Sequence, residues 1–421
     1  MKGLFRRVLC VSLAAFALMN SAACREKEQP QEEPDKFAYY PAKTDIKADG
    51  QFYGKEGVEF PASLWQTPAA ERCEALDCGE IKAYFIRSVQ DTEVFCYVGI
   101  PEGASESAPV PAVVLVHGAT GTAFYDWVKM WTDRGYAAIA MDTEGRMPGS
   151  GCSTMNPVTV NSVKPHGPVN AAFTDAGRPV EQQWVYHALA SVIASASFIG
   201  SFPAVDETKI GITGVSYGSF LACLAAAYDD RYSFAVPVYG ALSNARSLNE
   251  FGTYLQNGGG KAIGLWDDES VLHGNRTPFL FVGSIDDVFF APDAIVRTAA
   301  ECRYAQIAFL PHFTHGHYQG AAAEEVFAFA DEIFFRKDAL LRVKGKPSSG
   351  VLTLELPAHA EAVRAEAYYT YEDALQSSTL WLSAPAEIVG NNVVYNLDAD
   401  VKHCYVRVQD GRGRHVCSAV S

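Results

Sequence analysis

Residues 209–230 read KIGITGVSYGSFLACLAAAYDD. A short apolar run, KIGITG, meets Gly214-x-Ser216-x-Gly218, and a stretch of good helix formers follows. In a chain of 421 residues with 34 Gly, the Gly-x-Ser-x-Gly spacing alone carries little weight. Its setting carries more. A strand that enters a helix through a very sharp bend needs tiny neighbours on either side of the bend, and Gly214 and Gly218 supply them. The reading puts Ser216 exposed at a strand end, with a helix N-terminus behind it that favours developing negative charge.

The surrounding sequence repeats this strand-then-helix pattern. AVVLVHG (112–118), YAAIAMD (136–142), KIGITG, FAVPVYG (234–240), TPFLFVG (277–283) and AQIAFLP (305–311) are apolar runs too short for helices. Helical patterns over 126–134, 180–201, 217–227 and 323–335 alternate with them. Such alternation predicts a mainly parallel sheet with helices on both faces, an α/β domain. Before it, IKAYFIRSVQ and TEVFCYVGIP read as antiparallel strands at one side of the same sheet. Past residue 343 the helical period disappears, and short strands separated by turns predict a small C-terminal β-sandwich over 343–421. The Gly- and Pro-containing stretches 146–179 and 241–278 are too long for simple connections and are expected to form the rim of a site.

A serine needs a base to take its proton and an acid to orient that base. In this kind of sheet they follow in the order Ser, acid, His, each after a later strand. TPFLFVG is followed by SIDD, offering Asp286 and Asp287, with Asp286 the first choice. AQIAFLP is followed by HFTHGH, offering His312, His315 and His317, with His315 the first choice and His317 the alternative. Backbone N–H donors for a developing oxyanion are expected from Tyr217, after the nucleophile, and from Ala119 in HGATG (117–121). His117 reads as a residue holding that turn. The three His of HFTHGH have a spacing that also suits a metal, but neither a carboxylate nor a Cys lies beside them in sequence, and no metal or cofactor is expected. Trp266 reads either as a platform for a sugar ring or as a core residue.

The composition narrows the partners. A formal charge of −15 argues against nucleic acid, which demands clustered Lys and Arg. The first 23 residues, with Lys2, Arg6 and Arg7 ahead of an apolar run, predict an export signal peptide. Ser21-Ala22-Ala23-Cys24 predicts a lipidated Cys24, followed by a polar tether to residue 36. Simple cleavage after Ala23 fits the same residues. The expected location is therefore the periplasm or cell surface, with membrane contact through the lipid on Cys24. Export permits disulfides. A hairpin centred on Asp410-Gly411 sets Cys404 opposite Cys417, and Cys73 with Cys78 is the second candidate pair.

Taken together, residues 110–145, 205–240, FLFVGSIDDVFF (279–290) and FTHGH (313–317) resemble the acetyl xylan esterase-like, dienelactone hydrolase-like branch of the α/β-hydrolase superfamily. The resemblance spans roughly residues 80–335, inside a domain taken as 37–340. It implies a serine hydrolase acting on carboxylic esters, with acetylated carbohydrate as substrate and Ser216, Asp286 and His315 in the catalytic roles. Two residues depart from the family pattern. HGATG replaces a more Gly-rich run, and Ser219 stands where a second Gly is common, so a narrower oxyanion loop or a shifted acyl preference is expected from either. A peptidase of the prolyl-oligopeptidase type shares the elbow but usually has an N-terminal propeller, for which the residues before Val110 are too few. A non-catalytic glycan-binding lipoprotein is the other alternative, and its mark would be the loss of a triad residue.

Overall fold

The structure, a computed structural model, describes residue 40 and residues 54–356, 360–376 and 378–421. The expected signal, Cys24 and the tether lie outside the described residues. Among those described, no helix is long and apolar enough to cross a membrane.

The sheet begins with β1 (Ala70–Arg72), β2 (Lys82–Arg87) and β3 (Glu93–Gly99), an antiparallel set. It continues with β4 (Val110–Val116) and β5 (Ala137–Met141), while β6 (Arg146–Pro148) and β7 (Thr159–Asn161) form a separate hairpin. Then come β8 (Val205–Val215), β9 (Tyr232–Val238), β10 (Phe279–Gly283) and β11 (Ala305–Phe309). The spatial order is β1-β2-β3-β5-β4-β8-β9-β10-β11, and every pairing from β5 to β11 is parallel. Burial explains the apolar runs in the sequence. The strands β5 and β10 are buried at every residue because helices cover both faces of the sheet.

Those helices are α1 (Tyr125–Thr132), α2 (Trp184–Gly200), α3 (Tyr217–Tyr228), α4 (Glu250–Trp266), α5 (Pro292–Glu301), the short α6 (His317–Ala321) and α7 (Glu324–Phe335). The helix α2 is buried from Trp184 to Ile199, so it has no polar stripe. Its Ser191 and Ser197 hydroxyls instead donate to the carbonyls of His187 and Ile193, one turn back, which lets serine sit in an apolar interior. Helix α2 starts at Trp184, four residues later than the pattern predicts. Val180–Gln182 form a separate 3-10 turn, and the Trp184 N–H is held by the Asp175 carboxylate.

The helix α4 lies inside the stretch 241–278 expected to form a rim. Its run of glycines hides it from propensity, and it kinks at Gly259, whose φ is +77°. Asn249 caps it by accepting from the Gly252 N–H at 2.6 Å. Trp266, at its end, is buried and donates to Gln183 Oε1, so it is a core residue and not a sugar platform.

The C-terminal strands are β12 (Arg342–Lys344), β13 (Val351–Glu355), β14 (Ala362–Thr370), β15 (Leu382–Val389), β16 (Asn392–Val394), β17 (His403–Asp410) and β18 (His415–Cys417). In β13 and β15 exposed residues alternate with less exposed ones, as strands with one solvated face require. This C-terminal stretch is β-rich. The strand β18 pairs with β11 through Ile307 and Cys417, so these strands prolong the edge of the α/β sheet. Helix α7 fastens the junction: Glu332 pairs with buried Arg342, and Glu325 Oε1 accepts from the His415 N–H at 2.8 Å.

Both expected disulfides are absent. The bond joins Cys78 to Cys152, 74 residues apart, while Cys73, Cys404 and Cys417 are free thiols. The hairpin between β17 and β18 explains why Cys404 and Cys417 do not pair. Its register pairs Gln409 with His415 and Arg407 with Cys417, centring the turn on Arg412. The Asp410 carboxylate accepts from the N–H groups of Arg412 and Arg414, which opens a longer turn than an Asp-Gly pair would make.

Candidate active site

The bend between β8 and α3 has the strained geometry its sequence predicts. Ser216 sits at φ +60°, ψ −119°, outside the ordinary range of a non-glycine residue. Both flanking glycines are required by space. A Cβ on Gly214 would lie 2.0 Å from the Gly218 carbonyl oxygen, and one on Gly218 would lie 2.0 Å from that of Val116. Since both obstacles are backbone, Gly214→Ala and Gly218→Ala should each cost about 3 kcal/mol or more. Thermal melts and esterase assays of the two variants check this, and both readouts should fall together.

His315 follows β11 and lies against the elbow. Its Nε2 is 2.9 Å from Ser216 Oγ, and its Nδ1 is 2.8 Å from Asp287 Oδ2. Nδ1–H donating to the carboxylate leaves Nε2 as the acceptor of the serine proton. Asp287 is buried and is fixed by its other oxygen, which accepts from the N–H groups of Phe289 (2.8 Å) and Phe290 (3.2 Å). The imidazole packs against Tyr239 and Phe289, each with ring centroids 4.7 Å away. The Tyr239 hydroxyl donates to the Thr314 carbonyl at 2.7 Å, steadying the His315 loop.

The structure therefore corrects the choice of acid from Asp286 to Asp287. Asp286 is exposed and accepts from its neighbour Ser284, whereas the next residue turns inward to His315. A sequence signal exists in retrospect: Asp287 is followed two and three residues later by aromatic residues that anchor the loop inward. His315 holds the position expected of it, and both its ring nitrogens are spent on the serine and the carboxylate. His312 is exposed, and His317 packs edge-on against Phe124 with centroids 4.9 Å apart. No group of three or more potential metal ligands occurs among the described residues.

The loop expected to carry the second oxyanion donor lies beside the elbow, where a Cβ on Gly118 would be 3.0 Å from Ser216 Cβ. Tyr217 N is the first amide of α3 and has no carbonyl partner among the described residues. In HGATG, the Gly118 carbonyl accepts from His117 Nδ1 at 2.6 Å and from the Gly121 N–H at 3.2 Å. A trans peptide points its N–H opposite to its C=O, so fixing that carbonyl aims the Ala119 N–H away from His117. His117 Nε2 in turn accepts from the Thr143 N–H at 3.0 Å. Burial pushes His117 down to about 4, keeping the ring neutral as this pair of bonds requires.

Glu144 was not singled out from sequence. Its Oε1 accepts from the N–H of Thr120, a left-handed residue at φ +63°, and so braces the far side of the loop. Ser219 does not narrow this loop. Its side chain is buried and donates to the Ser216 carbonyl at 2.5 Å, with Gly240 leaving the room it needs.

Burial also pushes His317 down to about 4, so two neutral histidines lie beneath the oxyanion loop. A pKa below that of the unfolded chain, about 6.5, gives stability that is present above pH 6.5 and lost as pH falls toward 4. Asp142, raised to about 7 by burial, contributes in the opposite sense, so a whole-protein curve is a net result. A comparison with His317→Gln isolates one histidine. Urea unfolding at pH 7 and pH 4.5 should show the variant gaining on wild type as the pH falls.

Comparison with known proteins gives a partial family match and a shared fold. Residues 68–254 match the model of the acetyl xylan esterase family. Acetyl xylan esterase from Paenibacillus sp. R4 superposes with a TM-score of 0.51 at 16% identity, covering 72% of this chain and 96% of its own. Acetyl Xylan Esterase 1 from Thermoanaerobacterium sp. JW/SL YS485 superposes with a TM-score of 0.50 at 17% identity, covering 70% and 100%. The fold and the site define an α/β-hydrolase, a serine hydrolase of carboxylic esters. Within that superfamily, residues 68–254 are similar to the acetyl xylan esterase family.

Proposed function

We propose that this hydrolase removes acetyl groups from a glycan, with Ser216 as nucleophile, His315 as base, Asp287 as orienting acid, and Tyr217 and Ala119 as oxyanion donors. The observation that carries the reading is the Asp287–His315–Ser216 hydrogen-bond relay within a chain that matches the acetyl xylan esterase family. Ser216 Oγ attacks the acetyl carbonyl while His315 Nε2 takes its proton. The two amides meet the negative charge on the carbonyl oxygen. His315 then protonates the sugar oxygen as the C–O bond breaks, leaving acetyl-Ser216. Water, deprotonated by His315, releases acetate and restores the hydroxyl. The Asp287 carboxylate holds the imidazolium through Nδ1–H.

We further read residues 1–23 as an export signal, Cys24 as a lipid anchor, 24–36 as a tether, 37–340 as the catalytic domain and 343–421 as an accessory domain. The Cys78–Cys152 disulfide supports an oxidising compartment.

Acetate release from acetylated xylan and acetylated oligosaccharides, set beside p-nitrophenyl acetate and butyrate, tests the proposal. The glycans should release acetate, and kcat/KM should fall about tenfold or more from acetate to butyrate. Turnover of the nitrophenyl esters alone, with every glycan inert, would overturn the glycan assignment and leave the esterase.

A further inference from the structure

The triad does not use a cavity of about 390 Å3 that opens between α5 and the C-terminal strands. One wall is the segment after β9, with Arg246 and Leu248, together with Val296 and Arg297 of α5. The other is the connection from β14 to β15, with Asp373, Leu375 and Gln376, and the start of β17 at His403. The volume lies in the range of small-molecule sites, which concentrate where two packed units meet.

The lining defines the ligand chemistry. Its two guanidinium groups are already neutralised: Arg297 pairs with Asp293 at 2.7 Å, and Arg246 pairs with Glu269. An anion therefore finds no unspent cation there. Hydrogen-bonding groups remain. The Gln376 side-chain amide has no protein partner among the described residues, and the Asp373 carboxylate, 3.4 Å from Lys402 Nζ, is 87% exposed and keeps acceptor capacity. Aliphatic surface lies between them, with Leu248 70% exposed and Val296 and Leu375 half-buried. An amide and a carboxylate that can accept from hydroxyls, interleaved with C–H surface, match a polyhydroxylated ring that carries no charge.

The cavity is also tied to the catalytic loop. Directly after Leu248, the Glu250 N–H donates to the Val288 carbonyl at 3.1 Å and the Phe251 N–H to that of Phe289 at 3.2 Å. Val288 is the residue after Asp287. From Asp287 to Asp293, on the cavity wall, the chain spans six residues, so the separation is at most about 20 Å.

We propose that this cavity is a second carbohydrate subsite, holding neutral sugar units of the polymer whose ester is cleaved at Ser216. The proposal rests on the glycan reading above and gives the C-terminal strands a part in it.

Xylohexaose without acetyl groups is the binding probe, measured by isothermal titration calorimetry on the purified protein. Gln376→Trp, which fills the cavity, should weaken binding at least tenfold. Gln376→Ala, which removes only the amide, should weaken it several-fold and serves if the Trp variant melts early. On acetylated xylo-oligosaccharides the Trp variant should lose about tenfold in kcat/KM through KM, with p-nitrophenyl acetate turnover unchanged. Equal binding by wild type and both variants would overturn the subsite, as would no binding to wild type. Failure of the glycan reading is seen separately, as nitrophenyl ester turnover without acetate release from any glycan.

Discussion

Asp287→Asn should lower kcat for p-nitrophenyl acetate by about 10⁴-fold, while Asp286→Asn stays within a few-fold of wild type. The two residues are adjacent and chemically identical, so only their surroundings separate them. Asp287 accepts from His315 Nδ1 at 2.8 Å and from two backbone amides, and it is buried. Asparagine in its place can offer the imidazole an amide N–H, which favours the tautomer with its proton on Nε2. That tautomer cannot take the proton of Ser216. The loss corresponds to about 5.5 kcal/mol of transition-state stabilisation. Asp286 touches neither the imidazole nor the serine, since its carboxylate accepts from Ser284 at the surface. Steady-state kinetics of the two variants, with thermal melts to show that both fold, decide the assignment.

Ser216→Ala should lower kcat by about 10⁶-fold. The variant removes the attacking oxygen and leaves the Tyr217 and Ala119 amides, so a residual rate of about 10³-fold over water is expected from the surviving oxyanion donors. The Ser216→Ala Asp287→Asn double variant should be hardly slower than Ser216→Ala alone, because the relay acts as a unit. A double variant slower by the product of the two losses would mean that Asp287 works outside the relay.

Most of the fold can be read from the sequence because parallel strands buried on both faces leave continuous apolar runs. The six runs from AVVLVHG to AQIAFLP all form strands. The elbow is legible for a different reason. Gly214 and Gly218 are forced by backbone contacts near 2.0 Å, so the sequence records a steric demand directly. The choice between Asp286 and Asp287 is not legible by spacing, because it depends on which side chain a short loop turns inward. That turn is fixed by Phe289 and Phe290 packing beside His315, a contact distant in sequence. The Cys78–Cys152 pairing depends on tertiary proximity over 74 residues, which local pattern does not encode. Helix α4 was hidden by its own glycines. The junction of β18 with β11 rests on the Ile307–Cys417 register pair, too little for a sequence pattern to announce.

The central claim is that Ser216 is a nucleophile activated by His315. It is tested most directly by treating the protein with a fluorophosphonate and mapping the adduct by mass spectrometry. The account predicts one adduct per chain, on Ser216, slowed by an acetylated oligosaccharide and abolished in His315→Ala. An unlabelled, folded protein, or an adduct on any other residue, would contradict it.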